Sequence, residues 1–485
     1  MNQTFNIGFN FQTMAESQPE APAIIAEDIT LSYAKLWKIT AAFAERMHQH
    51  GIDQSSIIAV HTNDIIVSLA SLLASSLLGA QYVAVSKILE QDGVITPTHY
   101  IRSPEVEGAD DKNYIQIDHS WAPAFVDIDK NVSYPGYRSA DAPWMILHTS
   151  GTTGTAKYMV LSQRLVFDRS HAVQNDFHGQ KTRVSILFSC QTRPFYARAL
   201  AALLFGSTLI DSINICFWQQ EKVNTVCGSS YQINKLLADN TMTPKIDLVE
   251  VSGAKLTADI AAVLKSSFTK VIDFYGAGET NKSHANEITI GSSGEIVATG
   301  IKLDGRIEIV DEHDNPCAAG KRGLVRIKND YLVPGYLNAP AAQQKSFRDG
   351  WFYPGDYGHW GKAGALVIEG RDDELVNIAG IKFDPSRIDT ALLTCTGIKA
   401  AACFLIPSSD VENKLMAFVE LVDFKAPDQY INKAYQHCVE KFGTVIAPIN
   451  IIVVPEIPRT EDGAVKRQKC KDMAVEIFKH AARKN

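Results

Sequence analysis

The sequence has no C-x-x-C pair; its eight cysteines (Cys190, Cys216, Cys227, Cys317, Cys395, Cys403, Cys438 and Cys470) are scattered along the chain. That scatter argues against a zinc ribbon and against a disulfide framework in 485 residues, so reduced thiols in a cytoplasmic protein are expected. A strong charge of either sign is also missing. Lys and Arg number 47 against 54 Asp and Glu, a formal charge of −7, without the basic footprint of a dedicated nucleic-acid binder. The first residues, MNQTFNIGFNFQTMAES, hold no basic segment followed by an apolar one, so no signal peptide is expected. Long apolar runs are scarce. The longest uncharged stretch, Ile65 to Ser86, spans 22 residues, close to the ~20 that cross a bilayer. It is interrupted by Ser68, Ser71, Ser75, Ser76 and Gly79, and Leu69, Leu72, Leu73 and Leu77 recur at helical spacing before QYVAVS. A buried helix feeding a core strand is the expectation, not stable membrane insertion.

What is present is ordinary globular material, 46% apolar and 21% charged, with enough length for about three domains. Through the first two thirds, short apolar runs alternate with helical patterns: Ile57–Thr62, Tyr82–Val85, Met145–His148, Val184–Ser189, Ser207–Ile210, Val249–Ser252 and Val271–Tyr275 read as strands. Helices are expected from Leu161, at Ala197–Phe205 and near Thr257–Ser267. This alternation predicts an α/β fold with mostly parallel βα subdomains. From about Gly291 to 370, short runs punctuated by Asp, Asn, Gly and Pro predict a small antiparallel, barrel-like subdomain. A small α+β unit follows at the C-terminus.

The strongest local signal is HTSGTTGTAK, His148 to Lys157. A loop so rich in Gly, Ser and Thr after an apolar strand offers backbone N–H groups, hydroxyls and one ammonium to a polyphosphate. It is not G-x-x-x-x-G-K-[ST], because Lys157 lies between Ala156 and Tyr158. That weighs against a kinase-like phosphotransferase. Four further segments follow in order: YGAGET (Tyr275–Thr280), GWFYPGDYG (Gly350–Gly358), EGRDDELVNIAGIKFDP (Glu369–Pro385) and PRTEDGAVKR (Pro458–Arg467).

Together these five segments resemble, in order and spacing, the motifs of the adenylate-forming superfamily: acyl- and aryl-CoA synthetases, peptide-synthetase adenylation domains and luciferases. The resemblance covers almost the whole chain and implies a carboxylic acid–thiol ligase. Acid plus ATP would give acyl-AMP and pyrophosphate, and the thiol of CoA or of a carrier protein's phosphopantetheine would then displace AMP. It places the ATP site on Thr149, Ser150, Gly151, Thr152, Thr153, Gly154 and Lys157, on Ser252, Gly253 and Ala254, and on Tyr275, Gly276, Ala277, Gly278, Glu279 and Thr280. Glu279 becomes the Mg²⁺-side carboxylate, Tyr275 the residue against adenine, and Asp356 with Arg371 the ribose contacts. It further implies an ATP- and acid-binding body over 1–372, a hinge at Asp373, a mobile lid over 374–485, and a thiol-side loop carrying Gly380 and Lys382. Gly278 and Pro354 stand where the family usually has threonine.

The lid departs most. Ala464 follows Gly463 where the family carries its catalytic lysine, and Val465 and Arg467 keep the register. Alanine neither donates a hydrogen bond nor carries charge, so impaired adenylation is implied, by roughly 10²–10³ in rate. Three readings stay open: an alanine introduced to trap a substrate complex, Lys466 two residues on taking the role, or a chain that adenylates poorly. A non-catalytic acyl-adenylate-binding or carrier-docking protein is the alternative from another class, suggested by Ala464, Gly278 and Leu324.

The acid pocket is expected around Phe188, Arg193, Phe195, Ser229 and Ser230. Amino-acid-activating members carry an aspartate near Arg193 and this chain has none there, so a small carboxylic acid without a free α-amino group is expected. Arg193 either meets a second polar group of that acid or lies on an outer helix face. Residues 466–485, with seven Lys/Arg against two Asp/Glu, form either a solvated terminal helix or a face for CoA phosphates or an acidic carrier protein.

Overall fold

The computed structural model describes residues 5–85, 89, 93–106, 114–118, 120–121, 139–149, 157–177, 179–237, 242–253, 256–371, 376–378, 381–406, 414–423, 427–443, 450–460 and 463–482. They fall in two compact units, Met1–Ile307 with Ile327–Phe352, and Glu308–Arg326 with Tyr353–Asn485.

The first unit is built on two sheets. One has six strands in the order Tyr114–Gln116, His99–Arg102, Ile57–His61, Gln81–Ala84, Pro143–Thr149 and Lys157–Ser162. All neighbours are parallel except the last pair. The other has nine strands. Its parallel centre runs Phe268–Ala277, Ile246–Ser252, Thr225–Gly228, Arg183–Ile186, Thr208–Asp211 and Pro22–Ala26. Antiparallel strands flank it, Asn281–Ile290 and Ile296–Lys302 at one end and Thr30–Ser32 at the other. The antiparallel texture therefore starts at Asn281, about ten residues before the composition changes.

Ile65–Leu78 is a buried helix followed by the strand Gln81–Ala84, as its spacing predicts. Asp64 caps it by accepting from the N–H groups of Ile66 and Val67, and Gly79 closes it in the left-handed region at φ 69°. Its serines are tolerated because they find partners. Ser68 Oγ donates to the Cys190 carbonyl, and Ser75 Oγ accepts from the Trp144 indole at 3.0 Å. No helix among the described residues is long and apolar enough to cross a membrane.

In the second unit, Asp356–Trp360 and Leu366–Arg371 form a hairpin, and Gly323 and Leu324 pair with the first of these strands. The C-terminal part packs the helices Ser386–Leu393, Pro427–Phe442 and Arg467–Ala482 with the strands Ile398–Ile406, Lys414–Leu421 and Asn450–Val453. The first two strands are antiparallel and the third runs parallel to the second. This is the α/β body with antiparallel and small α+β parts that the sequence pattern predicts.

Candidate active site

In the first unit the parallel strand Phe268–Ala277 ends in a tight turn, and the antiparallel strand Asn281–Ile290 returns beside it. Gly276 sits at the register shift of this pair. A Cβ there would lie 2.1 Å from the Asn281 carbonyl oxygen, so the close approach requires glycine. Tyr275 pairs with His284 across the two strands. Thr280 is fully buried and ties the turn from inside, its Oγ1 accepting from the Ala277 N–H at 3.1 Å and from the Ser283 hydroxyl at 2.9 Å.

Glu279 is 6% exposed, and its Oε1 accepts from the Tyr336 hydroxyl at 2.6 Å. Lys157 opens the strand Lys157–Ser162 and holds its ammonium 5.4 Å from the centre of the Tyr336 ring. One tyrosine thus joins the two residues expected to meet phosphate and Mg²⁺. Tyr336 itself is fixed by its N–H, which donates to Gln343 Oε1 at 2.9 Å on the helix Pro340–Ser346. The main chain binds the same place: Leu337 N–H donates to the Tyr158 carbonyl, and Val333 N–H to the Glu279 carbonyl. Sequence reasoning missed Tyr336. Its signal is an aromatic residue directly after a Pro–Gly pair, which reads as an ordinary turn.

Arg169, also missed, is 5% exposed on the helix Gln163–His171. Its Nη1 donates to the Gly278 carbonyl at 3.0 Å, its Nη2 to the Glu279 carbonyl at 2.8 Å and its Nε to the Tyr331 carbonyl at 3.0 Å. Burial, with the nearby Arg193 charge, pushes its pKa well below the usual guanidinium range, against the pull of Glu279. Gly278 makes room for Met159, whose Cε would lie 2.6 Å from an added Cβ. The hydroxyl that the family usually places there is therefore replaced by a packed thioether.

Arg193, at the start of the helix Arg193–Leu204, lines a small, mostly apolar cavity with Met145, Leu147, Arg169, Tyr196, Leu200 and Asn281. The other expected acid-pocket residues do not line it. Phe188 lies under the Arg198 guanidinium at 5.0 Å, and Phe195 packs in the core against Tyr196. Ser229 Oγ accepts from the Gln232 N–H, and Ser230 begins the helix Ser230–Leu237. Ser252 Oγ accepts from Arg198 Nη2 at 3.2 Å, and Gly253 follows in the left-handed region at φ 84°. Behind them Glu250, 2% exposed, takes Lys282 at 2.8 Å and Arg198 at 3.5 Å. Burial opposes its charge, but Lys282 and Arg198 outweigh burial and hold its carboxyl below the ordinary range.

In the second unit, Asp356 and Arg371 face each other across the hairpin, Arg371 Nε 3.6 Å from Asp356 Oδ1. Arg371 Nη2 also donates to the Pro354 carbonyl at 3.1 Å. The lid segment turns tightly: the Thr460 N–H donates to the Ala464 carbonyl, and the Ala464 N–H to Thr460 Oγ1 at 2.9 Å. Ala464 and Lys466 are exposed, while Val465 between them packs inward. Arg467 anchors the base of this turn on buried Asp389 at 2.6 Å. Lys382 pairs with Asn377 along the strand Ile381–Phe383. Ser150, Gly151, Thr152, Thr153, Gly154, Ala254, Asp373 and Gly380 lie outside the described residues, as does the side chain of Thr149.

The model of one family, AMP-binding enzyme, matches residues 11–337. The chain belongs to the AMP-binding enzyme family. Among curated relatives of this AMP-binding enzyme is the sulfoacetate–CoA ligase of Cupriavidus necator, 27% identical over 353 residues, covering 68% of this chain and 67% of that protein. Another is the fatty acid–[acyl-carrier-protein] ligase MmaC of Mycobacterium marinum, 25% identical over 377 residues, covering 70% of each. Solved structures with the same fold include O-succinylbenzoate CoA synthetase from Bacillus subtilis in complex with AMP. It has a TM-score of 0.80 and 19% identity, covering 95% of this chain and 98% of that one. ATP-bound MatB from Rhodopseudomonas palustris also has a TM-score of 0.80, at 22% identity, covering 98% and 100%.

Proposed function

We propose that this AMP-binding enzyme is an acid–thiol ligase that activates a small carboxylic acid lacking a free α-amino group as acyl-AMP. It then passes the acyl group to the thiol of CoA or of a phosphopantetheinyl carrier protein. The observation that carries this reading is Tyr336, which sets the buried Glu279 carboxylate and the Lys157 ammonium around one ring. The acid names of the two curated relatives, sulfoacetate and fatty acid, suit a substrate without an α-ammonium.

Joining a carboxylate to the α-phosphate of ATP sets anion against anion, so the chain must neutralise charge as pyrophosphate leaves. Lys157 serves the phosphates from one side. Glu279 fits Mg²⁺ from the other, because that ion is commonly held by one or two carboxylates with phosphate and water completing its shell. The described residues accordingly offer one buried acid here and no group of three His, Cys, Asp or Glu fit for a metal ion. Mg²⁺ supplies Lewis-acid charge neutralisation when bound. Asp356 accepts from ribose hydroxyls beside Arg371. The acid's oxygen is the nucleophile first and the thiol sulfur second, so no enzyme nucleophile is needed. Asp373 is the hinge between the body and a lid over 374–485, and the reaction takes place in the cytoplasm.

Ala464 leaves adenylation weak, and it favours a second reading, a non-catalytic acyl-adenylate-binding protein. The test is an acid panel in pyrophosphate exchange on A464K, together with thioester formation from synthetic acyl-adenylates on the unaltered chain, with CoA or carrier protein. Exchange driven by at least one acid supports the ligase. Neither exchange nor thioester with any acid or acceptor overturns it in favour of the binder.

A further inference from the structure

Arg193 differs from Arg198, Lys282 and Arg169, the other cations packed behind the turn at Glu279. Arg198 pairs with Glu250 at 3.5 Å, Lys282 pairs with Glu250 at 2.8 Å and Asp176 at 3.1 Å, and Arg169 is used up on three carbonyls. Arg193 has one partner among the described residues, the neutral amide of Asn281, whose Oδ1 accepts from Nη2 at 3.0 Å. A guanidinium has five N–H groups, so Asn281 takes up only a small part of its donor capacity, and the residue lines the cavity. Burial, then the Arg198 charge, press its pKa down to about 10, against the pull of the Glu279 charge.

The site is nonetheless built. Asn281 is 4% exposed and takes a left-handed backbone, φ 67°, a conformation that asparagine accepts more readily than most residues. Its amide bridges the two arginines, accepting from Arg193 and donating to the Arg169 carbonyl at 3.3 Å. Leu147, Tyr196 and Leu200 supply the apolar wall of the cavity, and Arg169 connects that wall to the Glu279 carbonyl. An anionic group entering the cavity would therefore meet Arg193 and Arg169 against an apolar wall, with the Glu279 turn directly behind Arg169.

We propose that Arg193 selects an acid bearing a second anionic group, a carboxylate or a sulfonate: one end of the substrate is activated near Glu279 while the other pairs with Arg193. This rests on the ligase reading of the site. The planar fork of arginine suits either anion, and a charge-assisted pair at a partly buried site discriminates about 10–100-fold against an uncharged isostere.

The test titrates the full chain, with ATP and Mg²⁺, against succinate, glutarate, 3-sulfopropanoate and the mono-acids butyrate and pentanoate, reading affinity by calorimetry. Pyrophosphate exchange on A464K is run in parallel. At least one of the doubly charged acids should bind tenfold or more tighter than its mono-acid counterpart. The dicarboxylate and sulfonate arms decide which anion fits. R193Q should abolish the preference and R193K restore part of it. Equal binding of single and double anions, or a preference that survives R193Q, overturns the inference even where exchange proceeds. Arg193-dependent binding with no acid driving exchange instead sinks the ligase reading and leaves the anion site standing.

Discussion

On the proposed ligase reading, the single side chain at Ala464 decides how fast the first half-reaction can run. Ala464 and Lys466 are exposed and Val465 between them is half-buried, which puts the lysine on the same side of the turn as the alanine, one extended repeat of about 6.5 Å farther along. Two substitutions separate the open readings. A464K should raise pyrophosphate exchange by roughly 10²–10³ if the missing charge limits the step. K466A should lower the residual exchange of the unaltered chain about tenfold or more if Lys466 stands in. An A464K chain no faster than its parent would show that the defect lies elsewhere. Tyr336 makes a second point at this scale. Y336F keeps the ring under Lys157 and removes the hydroxyl that fixes Glu279. Loss of one such charge-assisted bond should weaken MgATP binding by about 10–100-fold, with little change in melting temperature. An unchanged affinity for MgATP would dismiss Tyr336 as a positioning residue.

Secondary-structure elements show where the sequence was legible and where it was not. The helix Ile65–Leu78 could be read because its leucines recur at helical spacing and its serines deny it a membrane. The strand Lys157–Ser162 was not read. Its residues KYMVLS carry no alternation, because Tyr158, Met159 and Leu161 are all buried even though the strand lies at the end of its sheet. The helix expected from Leu161 instead begins at Gln163, capped by Ser162. Arg169 and Tyr336 escaped for a related reason: each acts through backbone carbonyls or one distant side chain, and long-range pairing leaves no local pattern. Asp273 adds an element-scale prediction. It sits in the strand Phe268–Ala277, and burial alone pushes its carboxyl up to about 7. A raised folded-state pKa means that its protonated form is the compatible one, so stability is full below about pH 4 and is lost as pH rises through 7. Melting temperatures of D273N should therefore exceed those of the parent at pH 8 and approach them near pH 4. An equal gain at both pH values would show that the carboxylate's charge is not the cost.

Over the whole molecule, charge is divided unevenly. Residues 374–485 hold 15 Lys/Arg against 14 Asp/Glu, so the excess negative charge of the chain lies before them. On the proposed ligase reading, this near-neutral segment with a basic tail is the lid, which takes one pose to adenylate and another to admit a thiol. That proposal rests on the order of the five motifs in the sequence. Asp373 is the residue on which we place the turn between poses, and a backbone restriction there tests it. Proline fixes φ near −65° and deletes one N–H, so D373P should favour one pose at the expense of the other. In an A464K background the two half-reactions can be followed separately, adenylation by pyrophosphate exchange and thioester formation from a synthetic acyl-adenylate. A hinge predicts that D373P slows the thioester step at least tenfold relative to exchange, or the reverse, because proline locks one pose. A merely structural residue predicts that both rates fall together with melting temperature, and a neutral surface position predicts that neither moves. Either of those outcomes removes Asp373 as the hinge while leaving the chemistry at Glu279 and Lys157 untouched.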